Sequence, residues 1–325
     1  MIKRIDPHEH LRGRKEDYKE SFTHAIELAE SQGIFTVFAM PNTIPPIVRR
    51  VDVEEYLKLV PKAYEGRVGV YMGVTADPSQ LREAMDCFDD FDEVKGLKMF
   101  PGSSTGSLLV EKPEDQLRAY STCHKGGYKG VFAVHGEDED IIKRNKALWD
   151  PTRPITHGLA RPKAAETTSI ANQIFAANQA GFEGTLYICH VSCPESIDII
   201  NSAKRIGRKV VCEVTPHHIL WNEKKLEHPD AGRIFKTNPP LRKEEDRKGV
   251  VEMVLQGMVD CVGSDHAPHA ITDKMDEEKD PPSGFPSLII HKKARDYLQR
   301  MGMKEEQIDA MTCGNIKRIF GRKVT

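Results

Sequence analysis

The sequence has no long apolar run and no excess of charge of either sign. None of its hydrophobic stretches approaches the roughly 20 residues that a membrane-spanning helix needs, and the first ten residues, MIKRIDPHEH, lack the apolar core of a signal peptide. The 47 Lys and Arg residues nearly balance 49 Asp and Glu residues, giving a formal charge of -2. This balance gives no general electrostatic reason to expect nucleic acid or an anionic membrane as a partner.

Paired cysteines are also missing. The seven cysteines are an odd number, and none stands in a Cys-x-x-Cys motif. Cys123, Cys189, Cys212 and Cys261 lie in or beside apolar runs. Reduced, mostly buried thiols are typical of proteins from a reducing compartment, so we expect a soluble cytoplasmic protein rather than a disulfide framework.

Short apolar runs alternate with longer amphipathic segments along the chain. The runs that predict strands are residues 5–10, 34–40, 67–74, 94–100, 130–135, 184–190, 209–214 and 259–265. Most are apolar nearly throughout, which is typical of parallel strands covered on both faces. The segments between them include helical patterns at 17–33, 113–127 and 161–181. Eight such units predict an α/β fold of the (β/α)8 TIM-barrel type.

The length of 325 residues suits a single barrel. We therefore expect residues 1–325 to form one domain, with short C-terminal helices from about residue 303. The charged tract 271–284 interrupts the last unit, and we expect it to form a mobile loop near the barrel mouth.

The predicted strands end in residues that can bind a metal or form hydrogen bonds. They are His8 and His10, Asn42, Lys98, His135, His190 and Asp265. A single buried histidine is more often a core residue, and an Asp after a strand is often a helix N-cap. Several histidines at the one end of a barrel where chemistry occurs instead indicate a metal centre. Residues two apart on a strand point the same way, so His8 and His10 can share one cation.

Lys98 does not fit such a centre while its amine is charged. Burial beside cations favours the neutral form of an amine, and a neutral amine can add CO2 to form a carbamate that bridges two metals. The alternative is that Lys98 pairs with a carboxylate and takes no part in the chemistry. The sequence leaves both readings open.

The motifs around these residues resemble those of a known family. They are DPHEHLRG, MPNTIPP, GLKMFPGSSTGS, AVHGEDE, ICHVS, EVTPHH, KTNPPLR, VGSDHAPH and PPSGFP, in order from residue 6 to about residue 290. This combination resembles the dihydroorotases of the amidohydrolase superfamily. The resemblance implies reversible, zinc-dependent hydrolysis of (S)-dihydroorotate to N-carbamoyl-L-aspartate, a step of de novo pyrimidine (UMP) biosynthesis.

The resemblance also implies roles for individual residues. It implies two zinc ions per chain, held by His8, His10, His135, His190 and Asp265 and bridged by N6-carboxylated Lys98, with Asp265 as the catalytic proton carrier. It further implies that the substrate carboxylate is held by Arg12, Asn42 and His269, and that His10, Asn238, Ser283 and Gly284 also contact the substrate. The alternatives without this resemblance are that Arg12 forms an ion pair on the surface, that Asn42 is a turn residue and that His269 is exposed to solvent.

Many such relatives build a small β-sandwich from both chain ends, and we expect its N-terminal half to be absent here. We expect Gly102–Ser107 to be a flexible active-site loop. The alternatives are another cyclic amidohydrolase (dihydropyrimidinase, hydantoinase or allantoinase) or an inactive dihydroorotase-like partner of aspartate transcarbamoylase. The resemblance leaves open a homo-oligomer and a complex with that transcarbamoylase.

Overall fold

The computed structural model describes residues 2–104 and 108–324. Eight parallel strands form one sheet, in which neighbouring strands are also consecutive in the sequence. They are β1 (Arg4–Glu9), β2 (Ile34–Ala39), β3 (Val68–Gly73), β4 (Val94–Met99), β5 (Val131–Val134), β6 (Thr185–Ile188), β7 (Val210–Val214) and β8 (Cys261–Val262). The first and last strands meet beyond β8, where Asp265 N donates to His8 O and His10 N donates to His266 O, both at 2.8 Å. The predicted (β/α)8 TIM barrel is confirmed.

Helices connect the strands and surround the sheet. They are α1 (Phe22–Ser31), α2 (Arg50–Leu57), α3 (Pro78–Asp90), α4 (Pro113–Lys125), α5 (Glu139–Asn145), α6 (His157–Ala160), α7 (Lys163–Gln179), α8 (Pro194–Arg205), α9 (Pro216–Leu220), α10 (Ala231–Ile234), α11 (Glu244–Leu255), α12 (Ile271–Met275), α13 (His291–Arg300), α14 (Glu305–Asp309) and α15 (Asn315–Phe320). The Ser21 side chain caps α1, and Gly33 follows that helix with a φ of 75°. Gly33 ends the predicted helical pattern 17–33 as expected, whereas the helix begins later than that pattern, at Phe22, because Ser21 caps it there. No helix in the described residues is long and apolar enough to span a membrane.

The barrel has two apolar layers that leave its upper end free for polar residues. The outward faces of the strands pack against the helices, for example through Val70 and Leu97. Inside the barrel, Phe38, Tyr71 and Tyr187 pack around Phe320 of α15. Because these aromatic rings fill the interior, the polar residues collect at the C-terminal ends of the strands.

The charged tract 271–284 contains the short helix α12 and is tied to the barrel rather than being loop throughout. The buried Arg233 donates hydrogen bonds to the carbonyl oxygens of Lys274, Asp276 and Lys279. Lys236 Nζ donates to Pro281 O at 2.7 Å. These bonds fix the segment that leads to Ser283.

Buried neutral histidines predict that the fold loses stability in mild acid. Burial lowers the pKa of His291 to about 3, whereas an unfolded histidine titrates near 6.5. The unfolded chain therefore binds more protons than the folded one below pH 6.5. Protonation of this histidine should lower the free energy of unfolding by about 2 kcal/mol from pH 7 to pH 5. Urea unfolding at both pH values should show a smaller pH effect in His291→Phe than in the wild type. An unchanged pH effect would contradict the prediction, and His124→Gln, at an exposed position of α4, serves as the control.

Candidate active site

A polar cavity lies at the C-terminal end of the barrel. It is lined by His8, His10, Arg12, Asn42, Lys98, Phe100, Ser104, His135, His190, Asn238, Asp265, Ala267, Ser283 and Gly284. The structure therefore brings together every predicted site residue except His269, which lies just behind the wall against Arg12 and Ser283. Residues 105–107 of the predicted Gly102–Ser107 loop lie outside the described residues.

Three of these residues converge on one point. Asp265 Oδ1 lies 3.0 Å from His10 Nε2 and 3.4 Å from His8 Nε2. The other ring nitrogen of His8, Nδ1, lies 2.8 Å from Glu213 Oε1. If Nδ1 donates to Glu213, a lone pair on His8 Nε2 faces Asp265, and Nε2 is buried with no hydrogen-bond partner among the described residues. Two imidazole nitrogens and a carboxylate oxygen at these distances form a fitting ligand set for a divalent cation.

A second pair of histidines lies beside this group. His135 Nδ1 is 2.9 Å from His190 Nε2, and the His8 and His190 ring centroids are 5.4 Å apart. His135 Nε2 lies 3.1 Å from Glu137 Oε2. When Nε2 of His135 carries the proton that is donated to Glu137, the lone pair on its Nδ1 faces His190. Each carboxylate thus holds one histidine in the tautomer that a metal requires.

Lys98 lies below these histidines with 1% of its surface exposed. Its Nζ donates to Cys189 Sγ at 2.9 Å, and Lys98 forms no ion pair within the described part of the chain. The reading in which Lys98 pairs with a carboxylate therefore has no support in these contacts. A buried amine without a carboxylate partner fits the carbamate reading.

The pKa shifts follow from this arrangement. Burial alone would lower the pKa of His8, but the Glu213 carboxylate raises it well above its usual value. Burial alone would raise the pKa of Asp265, but His8 and His10 hold it well below its usual range. Burial lowers the pKa of His10 to about 4. The centre therefore favours a positive charge between His8 and Asp265, which a proton or a metal ion can supply.

The backbone is strained at two of these residues. His190 has a φ of 39° and Asp265 a φ of 48°, in the left-handed region that non-glycine residues rarely adopt. His190 lies two residues past the end of β6 and Asp265 three residues past the end of β8, both at the cavity. Such strain is concentrated at functional sites, where the surrounding structure compensates for it.

The part of the cavity wall that Arg12 forms is suited to an anion. Arg12 is only 3% exposed; its Nε donates to Pro268 O at 3.1 Å, and its Nη2 lies 3.4 Å from His269 Nε2. Its Nη1 also lies 3.6 Å from Glu16 Oε1, so Arg12 forms an ion pair, but a buried one at the cavity wall rather than one on the surface. His269 Nε2 also lies 3.1 Å from Ser283 O, and burial and Arg12 lower the pKa of His269 to about 2. Asn42 is also buried at this cavity, and His269 is partly buried rather than fully exposed to solvent.

The carboxylates that orient the histidines were not among the residues predicted from the sequence. Glu213 accepts from His8 Nδ1, from the His190 backbone N–H at 2.7 Å and from Tyr187 OH at 2.7 Å. Glu137 accepts from His135 and from Arg161 Nε at 3.0 Å. The signal for Glu213 was present, because it is the one acid in the otherwise apolar run VVCEV of β7.

Comparisons with known proteins give the family. The dihydroorotase of Staphylococcus aureus (strain Mu50 / ATCC 700699) is 33% identical over 311 residues, and that of Staphylococcus epidermidis (strain ATCC 12228 / FDA PCI 1200) is 31% identical over 308 residues. Each match covers 88% of this chain, which spans 66% of the length of each relative. No protein-family model matches the chain.

Solved structures show the same fold. The L-hydantoinase (dihydropyrimidinase) from Arthrobacter aurescens superposes with a TM-score of 0.85 at 24% identity, covering 98% of this chain and 70% of that one. The dihydropyrimidinase from Brevibacillus agri NCHU1002 gives a TM-score of 0.85 at 21% identity with the same coverage. At these identities the structures establish the barrel alone, whereas the dihydroorotases establish the closer relationship. The chain belongs to the dihydroorotase-type amidohydrolases.

Proposed function

We propose that this chain is a dihydroorotase that acts in the cytoplasm in pyrimidine biosynthesis. The observation that carries the proposal is the position of the buried Arg12 beside the His8, His10 and Asp265 group, in one cavity. A guanidinium binds a carboxylate with two parallel hydrogen bonds. Dihydroorotate has both a carboxylate and a cyclic amide bond, and this cavity provides for each.

Two zinc ions are the metals that the ligand set would hold. His8, His10 and Asp265 would bind one, His135 and His190 would bind the other, and Lys98 as a carbamate would bridge them. Their buried nitrogen and oxygen atoms suit zinc. Zinc bound there would activate a water molecule for attack and polarise the substrate carbonyl.

The side chains then have separate tasks in the reaction. Arg12, Asn42 and His269 hold the substrate carboxylate, and this orients the scissile amide toward Asp265. Asp265 takes a proton from the attacking water as the water oxygen bonds to the carbonyl carbon, and delivers it to the ring nitrogen as the carbon–nitrogen bond breaks. The ring opens to N-carbamoyl-aspartate, and the reverse sequence closes it.

A substrate panel tests this choice against the other cyclic amidohydrolases. Hydantoin and dihydrouracil contain the cyclic amide but lack the carboxylate that Arg12 would bind. Because a site built around a charged hydrogen bond rejects analogues that lack the partner, kcat/KM should favour dihydroorotate by roughly 100-fold or more. Equal or better turnover of hydantoin would contradict the proposal.

The orienting role of Glu213 leads to a prediction about metal affinity. In Glu213→Gln the charge that holds His8 is lost, so zinc affinity should fall by about 10- to 100-fold. Titration of the metal-free protein with zinc in the presence of a competing chelator measures this change. Glu166→Gln removes another buried carboxylate, one that bonds Ser192 instead of a histidine, and is the control. An unchanged zinc affinity in Glu213→Gln would rule out this role for the carboxylate.

The proposal extends to domain organisation and assembly. Residues 1–325 would form one barrel domain, and the protein would associate with a second copy of itself or with aspartate transcarbamoylase. The seven cysteines are free thiols, which supports a reducing compartment. Light scattering of the protein alone and mixed with the transcarbamoylase would measure both associations.

A further inference from the structure

His157 lies directly behind the wall of the cavity. This residue of α6 is 5% exposed, and its ring packs edge-on against Trp149 at a centroid distance of 5.0 Å. Its Nε2 lies 2.9 Å from Asn238 Oδ1 and 3.1 Å from Thr237 O. Asn238 lines the cavity, whereas His157 does not.

The contacts of His157 determine where its proton is. The Thr237 carbonyl oxygen can only accept a hydrogen bond, so Nε2 must carry the proton that is shared with it. The Asn238 atom that faces the same nitrogen must then also be an acceptor, which identifies it as the amide oxygen. Burial lowers the pKa of His157 to about 3, so the ring is neutral near pH 7.

A second donor acts on the same amide oxygen. Ser283 Oγ donates to Asn238 Oδ1 at 3.1 Å. The segment that carries Ser283 is held next to Asn238, because Gly284 N donates to Lys236 O at 2.9 Å. With Oδ1 occupied by His157 and Ser283, Asn238 offers its Nδ2 hydrogens to a ligand in the cavity.

The proposed substrate has one oxygen that needs such a donor. The carbonyl that is attacked faces the histidines and Asp265, and Arg12 faces the carboxylate. The remaining acceptor on the ring is the oxygen of the ureido carbonyl, between the two ring nitrogens. An Asn238 amide with its oxygen toward the ligand would repel the ureido oxygen. An amide with its N–H groups toward the ligand donates a hydrogen bond to it.

We propose that His157 is a positioning residue that fixes Asn238 as the hydrogen-bond donor to the ureido oxygen of the substrate. The proposal rests on the dihydroorotase function. His157 does not touch the substrate, and its effect passes through the orientation of the Asn238 amide. The enzyme therefore selects rings with an acceptor at this position.

The test couples a variant to a change of one substrate atom. His157→Phe keeps the contact with Trp149 but removes the proton donor. With dihydroorotate it should raise KM about 10-fold, the loss of one well-placed hydrogen bond, while kcat changes little. The 2-thio analogue, whose sulfur accepts hydrogen bonds weakly, should be turned over alike by variant and wild type. His157→Gln, which restores an N–H donor, should recover part of the affinity. His291→Phe, a buried histidine outside the cavity, should leave both substrates unaffected.

The outcomes separate this proposal from the proposed function. If replacing the ureido oxygen of the substrate by sulfur lowers turnover by the same factor in the wild type and in His157→Phe, the positioning role is overturned. Nitrogen-15 NMR of the wild-type protein tests the same arrangement without turnover or a variant that must fold. A proton on Nε2 of His157 is expected, and a proton on Nδ1 alone would overturn the proposal. If the wild type fails to turn over dihydroorotate, the proposed function fails, and the NMR result still decides how His157 holds Asn238.

Discussion

Lys98→Ala is expected to lose turnover by roughly 1000-fold or more, because several kcal/mol of metal-derived stabilisation depend on the bridging group. Lys98 is buried at the C-terminal end of β4, with a thiol as its hydrogen-bond partner. The alanine variant leaves a space where the carbamate would lie. Acetate or propionate can enter this space and supply two carboxylate oxygens. Part of the activity should therefore return as either acid is added, measured as initial rates of dihydroorotate hydrolysis.

Lys98→Arg provides the matched control for this rescue. The guanidinium fills the space with a positively charged group and does not form the carbamate. This variant should be as inactive as Lys98→Ala, and short acids should not restore it. Full activity of Lys98→Ala without an added acid would exclude Lys98 from the mechanism.

Arg12→Met should affect substrates differently according to their charge. Removing one partner of a buried charged hydrogen-bond pair costs on the order of 3 kcal/mol, which is about 100-fold in kcat/KM. Dihydroorotate hydrolysis should show this loss. Hydantoin, which has no carboxylate, should be hydrolysed by the variant and the wild type at comparable rates.

The comparison between substrates is what makes the Arg12 test specific. A variant that damages the fold or the metal ligands would lower the rates with both substrates equally. Zinc content and urea unfolding of Arg12→Met should therefore match the wild type. Equal losses with both substrates would contradict the assignment of Arg12 to the carboxylate.

The barrel and much of its polar end could be predicted from the sequence because both depend on local patterns. Short apolar runs bounded by glycine identified the strands, and the ends of parallel strands in a barrel necessarily meet. His8 and His10 could be paired because residues two apart on a strand share a face. Asp265 could be added because β8 closes the barrel beside β1.

The supporting contacts could not be predicted because they join distant parts of the chain. Glu213 is 205 residues from His8, and its carboxylate reaches both the His8 ring and the His190 backbone only once β6, β7, β8 and β1 lie side by side in the closed barrel. No local pattern in the sequence links His157 to Asn238, 81 positions away. The helix α12 within the tract 271–284 depends on carbonyl contacts to Arg233.

The most direct test of the proposed function is an assay of the purified protein in both directions, with zinc measured on the same sample. Dihydroorotate hydrolysis and N-carbamoyl-aspartate cyclisation should both occur, with about two zinc ions per chain. Zinc without turnover in either direction would contradict the choice of substrate. Neither zinc nor turnover, even after zinc and bicarbonate are supplied, would contradict the metal centre itself.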